Sequence, residues 1–290
     1  MKKIIVYNNW GDTPEQWSTR LSKQSPNGRT WKNIQLVSNI EEADTVVICD
    51  GVPSLKKDEF QEFLKKPKIF LQREPEHVQG PLRINPNKVD KFITYDTMHT
   101  YSDWWLDYDY NYLTDLKYED MKKDEKNPIC IITPKAFTLG QRQRLNFLKK
   151  AQSLINIEFY GKSGLSSLFE NYRGPVEMPG KSTRDKSRLF NYHHSFSLEN
   201  GKRRNFFTRP QESLLSWTMP IYWGCPNLED FLPEGSYRYI DIESLITKEK
   251  LEHLTRPVTT EEIRAIKEGR DLVLNKYNFF PYIEEILENM

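Results

Sequence analysis

The runs KIIVYN (3–8) and TVVICDG (45–51) are apolar almost throughout instead of alternating with polar residues. A strand with one face in water alternates; a strand buried on both faces does not. Such strands need helices on both sides of a parallel sheet. KIFLQ (68–72) and KFITYD (91–96) continue the series, separated by polar, helix-compatible segments. One of these, SLKKDEFQEFLKK (54–66), is expected to put Leu55, Phe60, Phe63 and Leu64 on one helical face. The charged stretch KYEDMKKDEKNP (117–128) interrupts the pattern and reads as a linker. Strand-like runs then resume at 129–134, 155–161, 193–200, 219–224 and 237–242, with helical segments at 141–152 and 211–217. Two successive arrays of this kind predict an α/β fold with two Rossmann-like domains facing a cleft. The expected divisions are 1–122, 123–258 and a helical tail, 259–290, that starts near Thr260 and packs back on the first domain.

Composition narrows the function classes. The chain has 290 residues, with 42 Lys and Arg against 41 Asp and Glu, for a net charge of +1. A dedicated nucleic-acid binder shows a basic domain, so nucleic acid is not an expected partner. Cys49, Cys130 and Cys225 are far apart and odd in number, which makes neither a disulfide framework nor a zinc motif. They are expected to be small buried hydrophobes in a reducing compartment. No apolar stretch approaches the ~20 residues of a membrane span. The opening MKKIIVYNNWGD has too short an apolar run for a signal peptide. The expected location is a cytoplasm, that of a bacterium or of a virus-infected host cell.

In open α/β sheets, ligands bind beyond the carboxyl ends of the strands, so the residues after each strand are the candidates. After KIFLQ come Arg73, Glu74, Glu76 and His77. After HHSFSLEN comes GKRRNFFTRPQESLL, with Lys202, Arg203 and Arg204 in a loop. There Thr208 and Gln211 fit a capping box, with Pro210 in the first helical turn. A helix N-terminus beside several cations suits a phosphate; a solvated basic turn before an ordinary helix is the alternative. After MPIYWG the chain turns through Cys225, Pro226 and Asn227, so something other than protein is expected to occupy the space past Gly224. In LDYDYNY, Asp107 and Asp109 form an acidic pair whose expected role is structural or acceptor-lining, and no metal ligand set is expected. Trp104, Trp105, Tyr108, Tyr110 and Tyr112 either stack on sugars or pack in a core.

The stretch from Tyr192 to Ile242 resembles the donor-binding motif of the α1,3/4-fucosyltransferases, glycosyltransferase family 10. The matching positions are Tyr192, Glu199-Asn200, Thr208, Pro220-Ile221-Tyr222-Trp223-Gly224, Pro226-Asn227, Phe231, Pro233 and Ser236-Tyr237. IFLQREPE and DKFITYDTMHTYSDWWLDY carry a weaker resemblance upstream. The resemblance implies a GT-B architecture and an inverting, metal-independent glycosyltransferase. Its expected partners are a nucleotide sugar, GDP-fucose first, and the hydroxyl of a glycan acceptor. No cofactor is expected. Glu74 matches the family's catalytic glutamate and is the expected base, with Glu76 as runner-up. Arg209, with Arg142 or Arg144 from the helix after ICIITP, is expected at the diphosphate. Tyr192, Glu199, Asn200, Phe206, Thr208, Tyr222 and Gly224 complete the expected donor-binding set.

The sequence departs from the family at three points. Thr208-Arg209-Pro210 stands for T-E-K, or a register shifted by one residue puts Arg209 where the lysine belongs; either way the ribose-binding glutamate is missing. His193-His194 stands for K-F, and Phe206 lacks the family's hydroxyl. A UDP-pentose or UDP-hexose donor is therefore an alternative, as is a non-catalytic module that binds nucleotide sugars or glycans.

Overall fold

The computed structural model describes residues 1–76, 85–102, 104–176 and 185–290. His77 lies outside the described residues. The chain divides into two compact units: residues 1–101, 109–114 and 277–290 form one, and 102–108 with 115–276 form the other.

The first unit holds a six-stranded sheet in the order β2-β3-β1-β4-β5-β6. Its strands are β1 (Lys2–Asn8), β2 (Thr30–Trp31), β3 (Ile34–Leu36), β4 (Thr45–Cys49), β5 (Lys68–Leu71) and β6 (Lys91–Ile93). All pairings are parallel except β2 with β3. Alternate residues of the central strands go to opposite faces, and both faces are covered. Ile4, Val6, Val47, Ile69 and Leu71 pack with Trp17 and Leu21 of α1 (Pro14–Leu21) and with Phe279, Phe280 and Ile283 of α8 (Phe279–Glu288). Ile5, Tyr7, Val46, Ile48 and Phe70 pack on the other side with Phe63 of α2 (Lys57–Lys65). This is why the runs are apolar at every position. The broad apolar face expected of 54–66 is not formed: Phe63 is buried, whereas Phe60 and Leu64 are 44% and 52% exposed. A helix of only nine residues offers few positions to the sheet, and Phe63 takes the contact, edge-on to Tyr7.

The second unit holds a second six-stranded sheet, in the order β12-β11-β10-β7-β8-β9, parallel throughout. Its strands are β7 (Ile129–Ile132), β8 (Glu158–Gly161), β9 (Tyr172–Gly174), β10 (His194–Leu198), β11 (Met219–Trp223) and β12 (Arg238–Tyr239). On one face Cys130, Phe159, Phe196, Leu198, Ile221 and Trp223 pack with Leu145 and Leu148 of α4 (Leu139–Gln152) and with Leu251 and Leu254 of α6 (Lys248–Leu254). The short helix α5 (Arg209–Leu215) packs on β10 and β11 and against α7 (Thr260–Asn275). Arg238 on β12 donates to both carboxylate oxygens of Glu262 at 3.0 and 2.7 Å, and Arg256 donates to them too. These bonds hold the Glu262 carboxyl at about 2 against the opposing effect of burial.

The strands end one to three residues earlier than the apolar runs in several places, because the last residues leave the ladder to make the turns described below. The short strands β2, β3 and β9 have no sequence signature of their own. The helical tail splits: α7 packs in the second unit and α8 in the first. The stretch 117–128 is not simply a solvated linker. Lys123 is tucked in, donating to Tyr192 O at 2.7 Å, Ser216 O at 3.1 Å and Thr218 Oγ1 at 3.0 Å. With no carboxylate among these acceptors, burial pulls its ammonium down to about 7. Among the described residues, no helix is long and apolar enough to cross a membrane.

Candidate active site

In each sheet the chain first moves outward in one direction and then returns to the other side of its first strand. The reversal lies between β1 and β4 in the first unit and between β7 and β10 in the second. Such reversals open a crevice beyond the carboxyl ends of the two strands.

Glu199 is the first residue after β10. Its main-chain N–H closes the ladder on Trp223 O at 2.9 Å. Its carboxylate accepts from the Arg209 N–H at 2.7 Å and from the Thr208 hydroxyl at 3.1 Å, with Arg209 Nε at 4.0 Å. The Thr208–Gln211 capping box predicted from the sequence is therefore not formed. Thr208 has helical backbone angles and makes no side-chain cap, and Glu199 takes the place of the cap from ten residues upstream. A carboxylate is the stronger acceptor for an unpaired helix N–H, which explains the preference. Glu199 is fully buried, and desolvation pushes its carboxyl up to about 7 despite Arg209 and the hydrogen bonds.

Gly224 shows what stops β11. A Cβ built there would lie 2.4 Å from Glu199 Cγ and 2.7 Å from its Cβ, at φ +154°. The space past the strand end is filled by the Glu199 side chain and not, as expected from the sequence, by something other than protein, so the strand has to end in glycine. Tyr222, fully buried, accepts from the Cys225 N–H at 2.7 Å and donates to Phe206 O at 3.4 Å, tying the β11 turn to the loop at 200–208. Burial, with the Glu199 carboxyl nearby, drives its phenol far above its usual range. Asn227 accepts from the Asn205 N–H at 3.1 Å and donates to Asn205 Oδ1 at 3.1 Å. Thr208, Arg209, Phe206, Tyr222, Gly224 and Glu199 thus form one group. Asn200 joins its edge, where Asn200 O accepts from Thr138 Oγ1 at 3.3 Å.

The arginines separate. Arg209 donates to Ile131 O near the end of β7 at 3.2 Å, and Arg144 to Leu198 O at the end of β10 at 3.4 Å. Both guanidinium groups lie where the two strands flank the crevice. Arg144 is fully buried, while Arg209 keeps 20% of its side chain exposed. Arg142 instead folds back on Ala136 O and Phe137 O at the surface. Lys202 pairs with Glu243. Tyr192 is not brought to this group. It precedes β10, at the amino end of the sheet, and its hydroxyl donates to Glu158 at 2.6 Å.

In the first unit Asp50 is the first residue after β4, buried and left-handed at φ +62°. Asp50 Oδ1 accepts from the Arg73 N–H at 2.6 Å, and both its oxygens accept from the Glu74 N–H, at 3.2 and 3.1 Å. Tyr95, just past β6, donates its hydroxyl to Arg73 O. The Arg73 guanidinium lies over the Tyr101 ring, 4.6 Å from its centroid. Glu74 is half-buried and Glu76 exposed. Of the aromatic segment, Trp104 belongs to the core at 1% exposure and donates to Tyr108 O, so it offers no face to a sugar. Asp109 accepts from the Tyr112 N–H as the cap of α3 (Tyr110–Asp115), and Asp107 falls in the other unit. Sequence reasoning overlooked Asp50 and gave Asn227 no role. The signal for Asp50 was an Asp-Gly pair closing an apolar strand, a type that tolerates left-handed turns.

Residues 122–263 match the family described as Glycosyltransferase family 10 (fucosyltransferase) C-term. No curated protein matches the chain by sequence. Among solved structures, the chain is similar to an α1,3-fucosyltransferase with GDP-fucose, at 15% identity and a TM-score of 0.51, covering 93% of this chain and 82% of that one. It is similar to a glycosyltransferase from Rickettsia africae, at 12% identity and a TM-score of 0.53, covering 99% and 97%. It is also similar to Anabaena HepE in complex with UDP, at 9% identity and a TM-score of 0.53, covering each chain in full. At these identities the likeness shows the fold, the two-sheet GT-B type. The family match falls on the segment that carries Glu199, Arg209 and Gly224, and this chain is a glycosyltransferase whose residues 122–263 match the glycosyltransferase family 10 domain.

Proposed function

We propose that the chain transfers fucose from GDP-fucose to a hydroxyl of a glycan, with inversion and without a metal ion, in a cytoplasm. The observation that carries this reading is Arg209 at the β7–β10 crevice of a family 10 domain, partly exposed and held by Glu199 and Ile131 O. A departing diphosphate needs positive charge placed in advance. A Glu199 carboxyl raised to about 7 is largely protonated below that pH and leaves the Arg209 charge available. Glu74, at the carboxyl end of β5 in the first unit, is the base that accepts the acceptor proton. Pro75 restricts it to extended backbone.

A second reading keeps the mechanism and changes the donor to a UDP-sugar. It is favoured by the absence, in either register of Thr208-Arg209-Pro210, of the family's ribose-binding glutamate. Melting temperatures with GDP, UDP, ADP and CMP separate the two, since a ligand that binds only the folded state raises apparent stability. GDP is expected to raise the melting point most, and GDP release from GDP-fucose with mixed glycans is expected to persist in EDTA. A shift with UDP alone selects the second reading. Binding of a nucleotide sugar without release of nucleotide would leave a binding module.

A further inference from the structure

We propose that Asp50 is the positioning residue of Glu74, fixing the direction of that carboxyl by clamping the peptide from which it projects. The inference rests on the reading of Glu74 as the base. In the β4–β5 ladder Cys49 pairs with Leu71, and the last rung runs from the Asp50 N–H to Leu71 O at 3.0 Å. Beyond that rung β4 turns away through the left-handed Asp50, and the next N–H groups on the exit of β5 lose their strand partner. Gln72 N still reaches Ile93 O on β6 at 2.9 Å. Those of Arg73 and Glu74 go to the Asp50 carboxylate at 2.6 to 3.2 Å. From the other side the Tyr95 hydroxyl holds Arg73 O. The Arg73–Glu74 peptide is therefore gripped at its carbonyl and its N–H, and the buried Pro75 follows at once.

The choice of residue is itself informative. Burying a carboxylate is costly unless its hydrogen bonds are made. Here it is placed at 2% exposure to hold two amides of a turn. Few residues other than glycine accept φ near +60°, and aspartate is one of them. A single residue thus makes both the turn of β4 and the clamp on β5.

Two substitutions separate the clamp from the turn. Asp50→Gly keeps the left-handed turn and removes the carboxylate. Asp50→Asn tolerates the turn and keeps one acceptor oxygen. Amide hydrogen exchange at Arg73 and Glu74 reads the clamp, and GDP release from GDP-fucose with mixed glycans reads turnover. In Asp50→Gly, exchange at Glu74 should accelerate and kcat should fall about 10²-fold, the scale of a catalytic group displaced by an ångström, with KM for GDP-fucose unchanged. Asp50→Asn should lie between it and the parent, and serves as the test if the glycine variant melts too low to assay. In a Glu74→Gln background, Asp50→Gly should cost nothing further. Unchanged kcat in Asp50→Gly with Glu74→Gln inactive overturns the role of Asp50 alone, as does a further loss in the double variant. Full turnover in Glu74→Gln overturns the reading of Glu74 and this inference with it.

Discussion

Asp50 and Glu199 occupy the same topological place. Each is the first residue after the strand that lies across the reversal point from its unit's first strand, and each is a buried carboxylate that accepts main-chain N–H bonds. They differ in what they hold. Asp50 reaches sideways to the exit of the neighbouring strand, 23 and 24 residues on, and stiffens a rim that carries Glu74. Glu199 reaches along its own loop to a helix start ten residues on, and occupies a position a free anion would otherwise use. The same device thus builds a scaffold for a side chain in one unit. In the other it caps a helix start beside Arg209, whose charge stays available while Glu199 holds its proton.

The largest expected effect tests the rim. Glu74→Gln should lower turnover about 10²–10⁴-fold, the usual scale for lost proton transfer, while nucleotide affinity stays near parental. Parallel losses of rate and donor affinity, measured by calorimetry and initial rates, would place Glu74 at the donor instead. Next comes Arg209→Ala. It should weaken GDP binding by about 1.5–3 kcal/mol, the scale of a charge-assisted contact, and guanosine binding much less. Equal losses for the two ligands would remove Arg209 from the diphosphate.

The third prediction sets the two strand ends against each other. Gly224→Ala forces a Cβ to 2.4 Å from Glu199 and should destabilise the fold by about 1–3 kcal/mol in chemical denaturation. Gly51→Ala brings a Cβ to 3.2 Å from Asn9 Cβ and Nδ2, an approach that a shift of a few tenths of an ångström relieves, so its loss should be smaller. The reverse order would mean that Glu199 yields easily and does not set the end of β11.

The smallest effect is a pH slope. Glu199 has a folded-state value near 7, raised above the ordinary carboxylate value of about 4.3. Its folded form holds its proton longer than the unfolded chain does. Its contribution to stability is therefore full below the ordinary value and lost as pH rises through about 7. Glu199→Gln should flatten melting temperature against pH in that window. An unchanged slope would show that Glu199 is ionised throughout.

Much of this was legible in the chain. Apolar runs without alternation required sheets covered on both faces, and two series of them gave two sheets. The MPIYWG turn and its flanks pointed to a family 10 domain, but the glycine at its end made room for the Glu199 side chain and not for something other than protein. The places of Tyr192 and Arg144 were not legible, because a tyrosine before a strand and an arginine on a helix read alike whichever way they point. The tertiary structure put Tyr192 at the amino end of the sheet with Glu158, and Arg144 in the core at Leu198 O. It also replaced the expected Thr208 cap with Glu199 and revealed Asp50 beneath Glu74. The division has a physical cause. Strand burial and glycine turns depend on residue type within a few positions, which a sequence displays. A carboxylate that meets amides ten or twenty-four residues away depends on strand register and loop path, which exist only once the sheets have formed.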